Sequence, residues 1–209
     1  MSQTSPVVIV DYGMGNIWSV YSALRYLGAN TIVSADPDQI ASADVLVLPG
    51  VGSFHKSMQA LHSLKIVKAL DEAVLVRKRK ILGICLGMQL FAEHGNEDGN
   101  CAGLGYLPGI VERFTSNELG TLKLPHIGFN LVNSAAQSQL FKGIPCPSDF
   151  YFVHSYRLSP RSQPDRESLC SYGVDFLAAY EYENIFATQF HPEKSQTNGL
   201  KLLKNFLAI

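Results

Sequence analysis

Apolar positions follow two rhythms along the first half of the chain. Short branched runs at residues 7–10, 31–34, 45–48 and 81–84 read as buried strands. Between the first two, Ile17, Val20, Tyr21, Leu24 and Leu27 recur at helical spacing, and the stripe stops at Gly28. Asp36-Pro37 opens a short turn or helix, residues 57–77 carry a longer helical stretch, and residues 86–93 carry another. Strand followed by helix, repeated, predicts an α/β fold with a doubly wound, mostly parallel sheet and flanking helices. Ligands in such sheets sit at the C-terminal ends of the strands.

Past residue 95 the pattern changes. Residues 94–103 are polar and glycine-rich and read as a surface loop. Strand-like runs follow at 110–114, 124–132, 150–158, 177–181 and 185–190, predicting a mixed or antiparallel extension of the same sheet. A final helix over 199–207 sets Leu200, Leu203 and Leu207 on one face. No repeat, linker or low-complexity segment divides the chain, so residues 1–209 read as a single domain, long enough to bury a sizeable core.

Composition mainly excludes. A formal net charge of -1 gives no basic excess for nucleic acid. The basic run at residues 77–80 reads as the decoration of a helix end, where cations suit the dipole. The cysteines at 85, 101, 146 and 170 form no C-x-x-C pair, which argues against a metal site and a disulfide framework. Residues 1–6 lack the features of a signal peptide, and no apolar run reaches membrane-spanning length. A cytoplasmic protein is expected, without a membrane partner, and a reducing cytoplasm suits a reactive thiol.

The candidate thiol is Cys85. In Gly83-Ile84-Cys85-Leu86-Gly87 a buried strand breaks and a helix starts, the pattern of a nucleophile elbow with cysteine in the serine position. Glycines suit the crowding of strand, turn and helix backbones. The helix start favours thiolate over thiol, and the Leu86 N–H is placed to meet an oxyanion. Gln89 follows one helical turn on, on the same face. A second glycine loop, Pro49-Gly50-Val51-Gly52, also follows a buried strand and can bring backbone N–H groups to a substrate. No Gly-Lys-Ser/Thr completes a phosphate loop there, and Ser19 spoils a dinucleotide fingerprint after the first strand.

A thiol needs a base. His191 ends an apolar run, and Pro192 keeps it out of the helical region. Glu193, two residues on in extended chain, points the same way and can accept from the imidazole Nδ1–H, leaving Nε2 for the sulfur. His126 and His154 read as structural, and His55 and His62 as solvated on a helix. No pair of histidines shows metal-ligand spacing.

These stretches resemble the class I glutamine amidotransferases. Leu48-Pro49-Gly50-Val51-Gly52, Gly83 to Gln89 and Phe190-His191-Pro192-Glu193-Lys194 carry the likeness. Asp11 to Asn16, Pro125 to Asn130 and Tyr151 to Tyr156 are similar to the glutaminase subunits of imidazole glycerol phosphate synthase. The resemblance implies hydrolysis of L-glutamine to glutamate and ammonia through a Cys85 thioester, with His191 and Glu193 completing a triad. It implies an oxyanion hole from Val51 and Leu86, and glutamine contacts at Gly50, Gly52, Gln89, His154, Ser155 and Tyr156. It implies no cofactor, and a heterodimer with a (β/α)8-barrel synthase that takes the ammonia and docks against Asn16, Phe129 and Lys194. Phe129 stands where that family usually has tryptophan. Related glutaminases serve partners that amidinate sugars, and a different cysteine-elbow hydrolase or a non-catalytic regulatory subunit stays open at this point.

Overall fold

The computed structural model describes residues 5–160 and 167–209. The reading of a leader rests partly on residues 1–4, which lie outside the described residues.

Four parallel strands, β1 (Val7–Val10), β2 (Thr31–Ser34), β3 (Val45–Gly50) and β4 (Lys80–Cys85), pair in the order β2-β1-β3-β4. Successive side chains go to opposite faces. Val8 and Val10 join one core with Ile40, Leu61 and Leu70; Val7 and Ile9 join another with Leu24, Phe150 and Phe206. The first core packs under α2 (Pro37–Ser42), α3 (Phe54–Ser63) and α4 (Ile66–Asp71), and the second under α1 (Ile17–Tyr26). Asp36 starts α2 by accepting from the Asp38 N–H, and Ser53 starts α3 by accepting from the Lys56 N–H. The helix expected over 57–77 is two helices and a π-helical turn, Glu72–Val76. Lys65, at φ 60, turns the chain between α3 and α4.

The extension begins inside the sheet. β13 (Ile185–Thr188) lies parallel beside β4, with Thr188 opposite Ile84. β12 (Val174–Tyr182), β11 (Glu167–Tyr172), β8 (His126–Asn133) and β9 (Ser148–His154) follow antiparallel, completing nine strands. Three expectations need correction. The run at 150–158 is not one strand: β9 stays in the large sheet, the chain bends at Ser155, and β10 (Tyr156–Pro160) enters a second, four-stranded sheet. The Phe114 N–H holds that bend by donating to the Ser155 carbonyl at 3.3 Å. β7 (Gly109–Arg113) belongs to this second sheet, not to the extension. Residues 94–103 are not an open loop; they supply its remaining strands, β5 (His94–Gly95) and β6 (Cys101–Ala102).

After a short α6 (Ser116–Leu119), the last helix, α7 (Gln196–Ala208), buries Gly199, Leu202, Leu203 and Phe206, while Leu200 and Leu207 lie on its partly buried flank. A Cβ on Gly199 would stand 1.9 Å from the Pro192 carbonyl, so α7 presses directly on the His191-Pro192-Glu193 turn. Lys80 donates to the Phe206 and Leu207 carbonyls and so caps the end of α7 rather than a helix preceding β4. Among the described residues no helix is long and apolar enough to cross a membrane.

Candidate active site

β4 ends at Cys85, whose φ of 55° and ψ of −111° form a sharp turn into α5 (Leu86–Leu90). A non-glycine residue at positive φ is strained and needs support from both sides. That support comes from close packing of backbone. A Cβ on Gly87 would lie 1.8 Å from the Leu48 carbonyl, and one on Gly83 would lie 2.6 Å from the Phe91 ring and 2.9 Å from the Gly87 backbone. α5 stops at Leu90, short of the expected residue 93. The returning chain takes the carbonyls: Leu104 N–H donates to Leu90 at 2.8 Å, and Leu107 N–H donates to Phe91 at 2.8 Å.

A cleft of about 270 Å³ opens over Cys85. Val51, Gly52, Leu86, Gln89 and the His154-Ser155-Tyr156 bend all line it. Gly50 does not. It pairs with Cys85 across β3 and β4, and a Cβ there would meet the Tyr12 hydroxyl at 2.6 Å and the Leu86 Cβ at 2.8 Å. Gly50 therefore lies behind the cleft and lets the elbow approach. Glu97, Pro125 and Val153 line the cleft without having been anticipated. Glu97 accepts from the Phe54 N–H at 2.9 Å, and burial raises its carboxyl above the usual range.

His191 lies 1 % exposed just past β13. Its Nδ1 meets Glu193 Oε1 at 2.7 Å. The contact arises through a 3-10 turn, Pro192–Lys194, rather than through extended chain. The turn is pinned by Ser195, whose hydroxyl donates to the His191 carbonyl at 2.7 Å and accepts from the Tyr151 N–H at 2.9 Å. The His191 Nε2 is buried, meets no nitrogen or oxygen partner among the described residues, and interacts with Cys85. Burial works to lower the imidazole pKa; the nearby Cys85 and then Glu193 outweigh it and raise it to about 10. The raised pKa favours the positively charged imidazole, held between the Cys85 sulfur on one side and the Glu193 carboxyl on the other.

A residue that sequence reasoning missed completes the cluster. Gln189 is wholly buried, accepts from Gln89 Nε2 at 2.9 Å and directs its own Nε2 at Cys85 Sγ, 3.8 Å away. The thiol also faces the Val153 carbonyl at 3.9 Å.

The family model for glutamine amidotransferase class-I matches residues 8–209. The chain belongs to the class I glutamine amidotransferases. Among curated relatives, imidazole glycerol phosphate synthase subunit HisH 1 of Campylobacter jejuni (strain RM1221) is 46% identical over 97% of this chain and 100% of its own length. Subunit HisH of Moorella thermoacetica (strain ATCC 39073 / JCM 9320) is 44% identical over 96% of this chain and 93% of its own. Two solved structures share the fold: PurLQS from Thermotoga maritima (TM-score 0.74, 17% identity, 99% of each chain) and a glutamine amidotransferase (TM-score 0.73, 19% identity, 96% of this chain and 97% of that one).

Two further features of this amidotransferase lie beside the cleft. His154 Nδ1 meets the Tyr156 carbonyl at 2.8 Å and so carries the proton; its Nε2 then accepts from His126 Nδ1, 3.1 Å away. Both imidazoles are neutral in this network. Burial lowers His126 to about 4 and His154 to about 3. Both are buried and hydrogen-bonded in their strands, and their chain ends on the carbonyl that also holds Gln89.

The second feature is an apolar face. Ile127, Phe129 and Leu131 point outward along β8 and are 59%, 47% and 52% exposed, while His126 and Val132 point inward. The Phe129 ring meets Tyr151 at 5.6 Å, and Lys194 Nζ stands 5.8 Å from the same Tyr151 ring. Asn16 Nδ2 donates to Glu193 Oε1 at 3.5 Å. Asn16, Phe129 and Lys194 thus join one surface that backs onto the His191-Glu193 pair.

Proposed function

We propose that this chain is the glutaminase subunit of an imidazole glycerol phosphate synthase. The observation that carries the chemistry is the buried His191 imidazole interacting with the strained Cys85 on one side, with Glu193 on its Nδ1. The Cys85 thiolate attacks the side-chain amide carbon of L-glutamine, and the carbonyl oxygen becomes an oxyanion. Backbone N–H groups of Val51 and Leu86, both on the cleft wall, serve as its hole. The tetrahedral intermediate collapses: the C–N bond breaks, His191 delivers a proton to the leaving nitrogen, and ammonia departs. Water then attacks the γ-glutamyl thioester, His191 accepts its proton, and the C–S bond breaks to give glutamate and free Cys85. Gln89, Gly52 and the 154–156 backbone hold the substrate; Gly50 lets the elbow pack close behind it.

The name carried by the relatives supports the destination of the ammonia. In this reading the single domain docks its Asn16, Phe129 and Lys194 face on a (β/α)8-barrel subunit in the cytoplasm. The barrel takes the ammonia and makes imidazole glycerol phosphate and aminoimidazole carboxamide ribotide in histidine biosynthesis. The exposed stripe on β8 supports an apolar partner surface, since such stripes are uncommon on a lone domain. Glutamate release should be measured for the chain alone, with the barrel subunit, and with the barrel plus its acceptor ligand. A rise of about tenfold or more is expected with the complete set. Full activity in the isolated chain, unchanged by either addition, contradicts the reading.

A further inference from the structure

Gln189 follows the last residue of β13, and Thr188 there stands opposite Ile84, so Gln189 falls beside Cys85. Its backbone N–H is anchored on the Ala178 carbonyl at 2.8 Å. The side-chain amide has one orientation that satisfies its neighbours. Oε1 accepts from Gln89 Nε2, which leaves Nε2 as the end that faces the sulfur. Gln89 Nε2 gives its other hydrogen to the Tyr156 carbonyl at 2.8 Å. Both of its hydrogens are therefore committed inward, and its carbonyl oxygen is the group it can offer the cleft.

A buried amide is costly unless paired, and among the described residues this one pairs with the cleft residues Gln89 and Cys85. An N–H aimed at sulfur stabilises the anion more than the neutral thiol, because hydrogen bonds to a charged acceptor are the stronger ones. We infer that Gln189 is a positioning residue of the glutaminase reaction: it fixes the Gln89 side chain and donates to the Cys85 sulfur, favouring the thiolate. The inference rests on the reading of Cys85 as the nucleophile.

The test uses the full chain and iodoacetamide, with the Cys85 adduct followed by peptide mass across a pH series. Gln189→Met removes both the donor and the acceptor at similar volume. Gln189→Glu keeps an acceptor for Gln89 but turns an oxygen toward the sulfur. The pH profile of Cys85 alkylation should move up by about one unit in the methionine variant. It should move at least as far in the glutamate variant. Where the methionine variant fails to fold, the glutamate variant decides. A profile that stays at the wild-type position in a variant with wild-type melting overturns the inference. Failure of the functional reading looks different: wild-type chain with its barrel partner would release no glutamate, while the alkylation profiles stayed readable.

Discussion

His191 and Glu193 lie two residues apart and meet at 2.7 Å, with the Glu193 side chain fully covered and one of its oxygens without a partner among the described residues. A covered carboxylate held against an imidazole orients the ring and supports its positive charge. Glu193→Gln keeps the shape and removes the charge. Glutamate release in the presence of the barrel partner should fall roughly 10⁴-fold, the size of loss known when a triad carboxylate becomes an amide. Steady-state kinetics measures it, and a loss below tenfold would show that Glu193 only shapes the turn.

The elbow makes a prediction about stability. Gly87→Ala places a Cβ 1.8 Å from a backbone carbonyl that cannot swing away. It should cost about 3 kcal/mol or more in urea unfolding, as severe overpacking does. Gly13→Ala is the control: its φ is +83°, but a Cβ there meets nothing within 4 Å. That substitution should cost only about 1 kcal/mol of backbone strain. Equal costs at the two positions would contradict the account of the elbow.

The neutral histidine pair predicts acid lability. Unfolded histidine titrates near 6.5, whereas folded His126 and His154 resist protonation until about 4 and about 3. Below 6.5 the unfolded chain takes up protons that the folded chain refuses, so the stability present at neutral pH is lost as pH falls toward 3. Each such group contributes up to about 1.4 kcal/mol per pH unit. Urea midpoints at pH 7, 6, 5 and 4 should fall steadily, and His154→Gln should flatten the decline. A variant that declines as steeply as the wild type would count against the paired neutral network.

Much of this site can be read from the chain because its chemistry forces unusual residues. The glycines around Cys85 and at Gly50 are demanded by close packing, Gly52 by its φ of +107°, and a His-Pro-Glu turn after a branched run is conspicuous. Gln189 has no such mark. It reads as one more residue of an apolar run, and only the parallel pairing of β13 beside β4 brings it to the sulfur. The bend at Ser155 is hidden for a similar reason: apolar alternation continues through it, and the switch of sheets is made by pairing with β7 and by the Phe114 N–H just past it. β11 escaped notice because serines and a cysteine interrupt its apolar pattern. Lys65 breaks the long helix without the glycine that usually marks a left-handed turn.

The central claim is that Cys85 makes ammonia for a second subunit. Cys85→Ser replaces the thiol with a hydroxyl that is a poor nucleophile at its ordinary pKa. The decisive measurement is product formation by the complex of this variant with the barrel subunit, driven first by glutamine and then by ammonium salt. Glutamine-driven turnover should drop to background while ammonium-driven turnover stays at the wild-type rate. Glutamine-driven turnover that persists in the variant would contradict the assignment of Cys85.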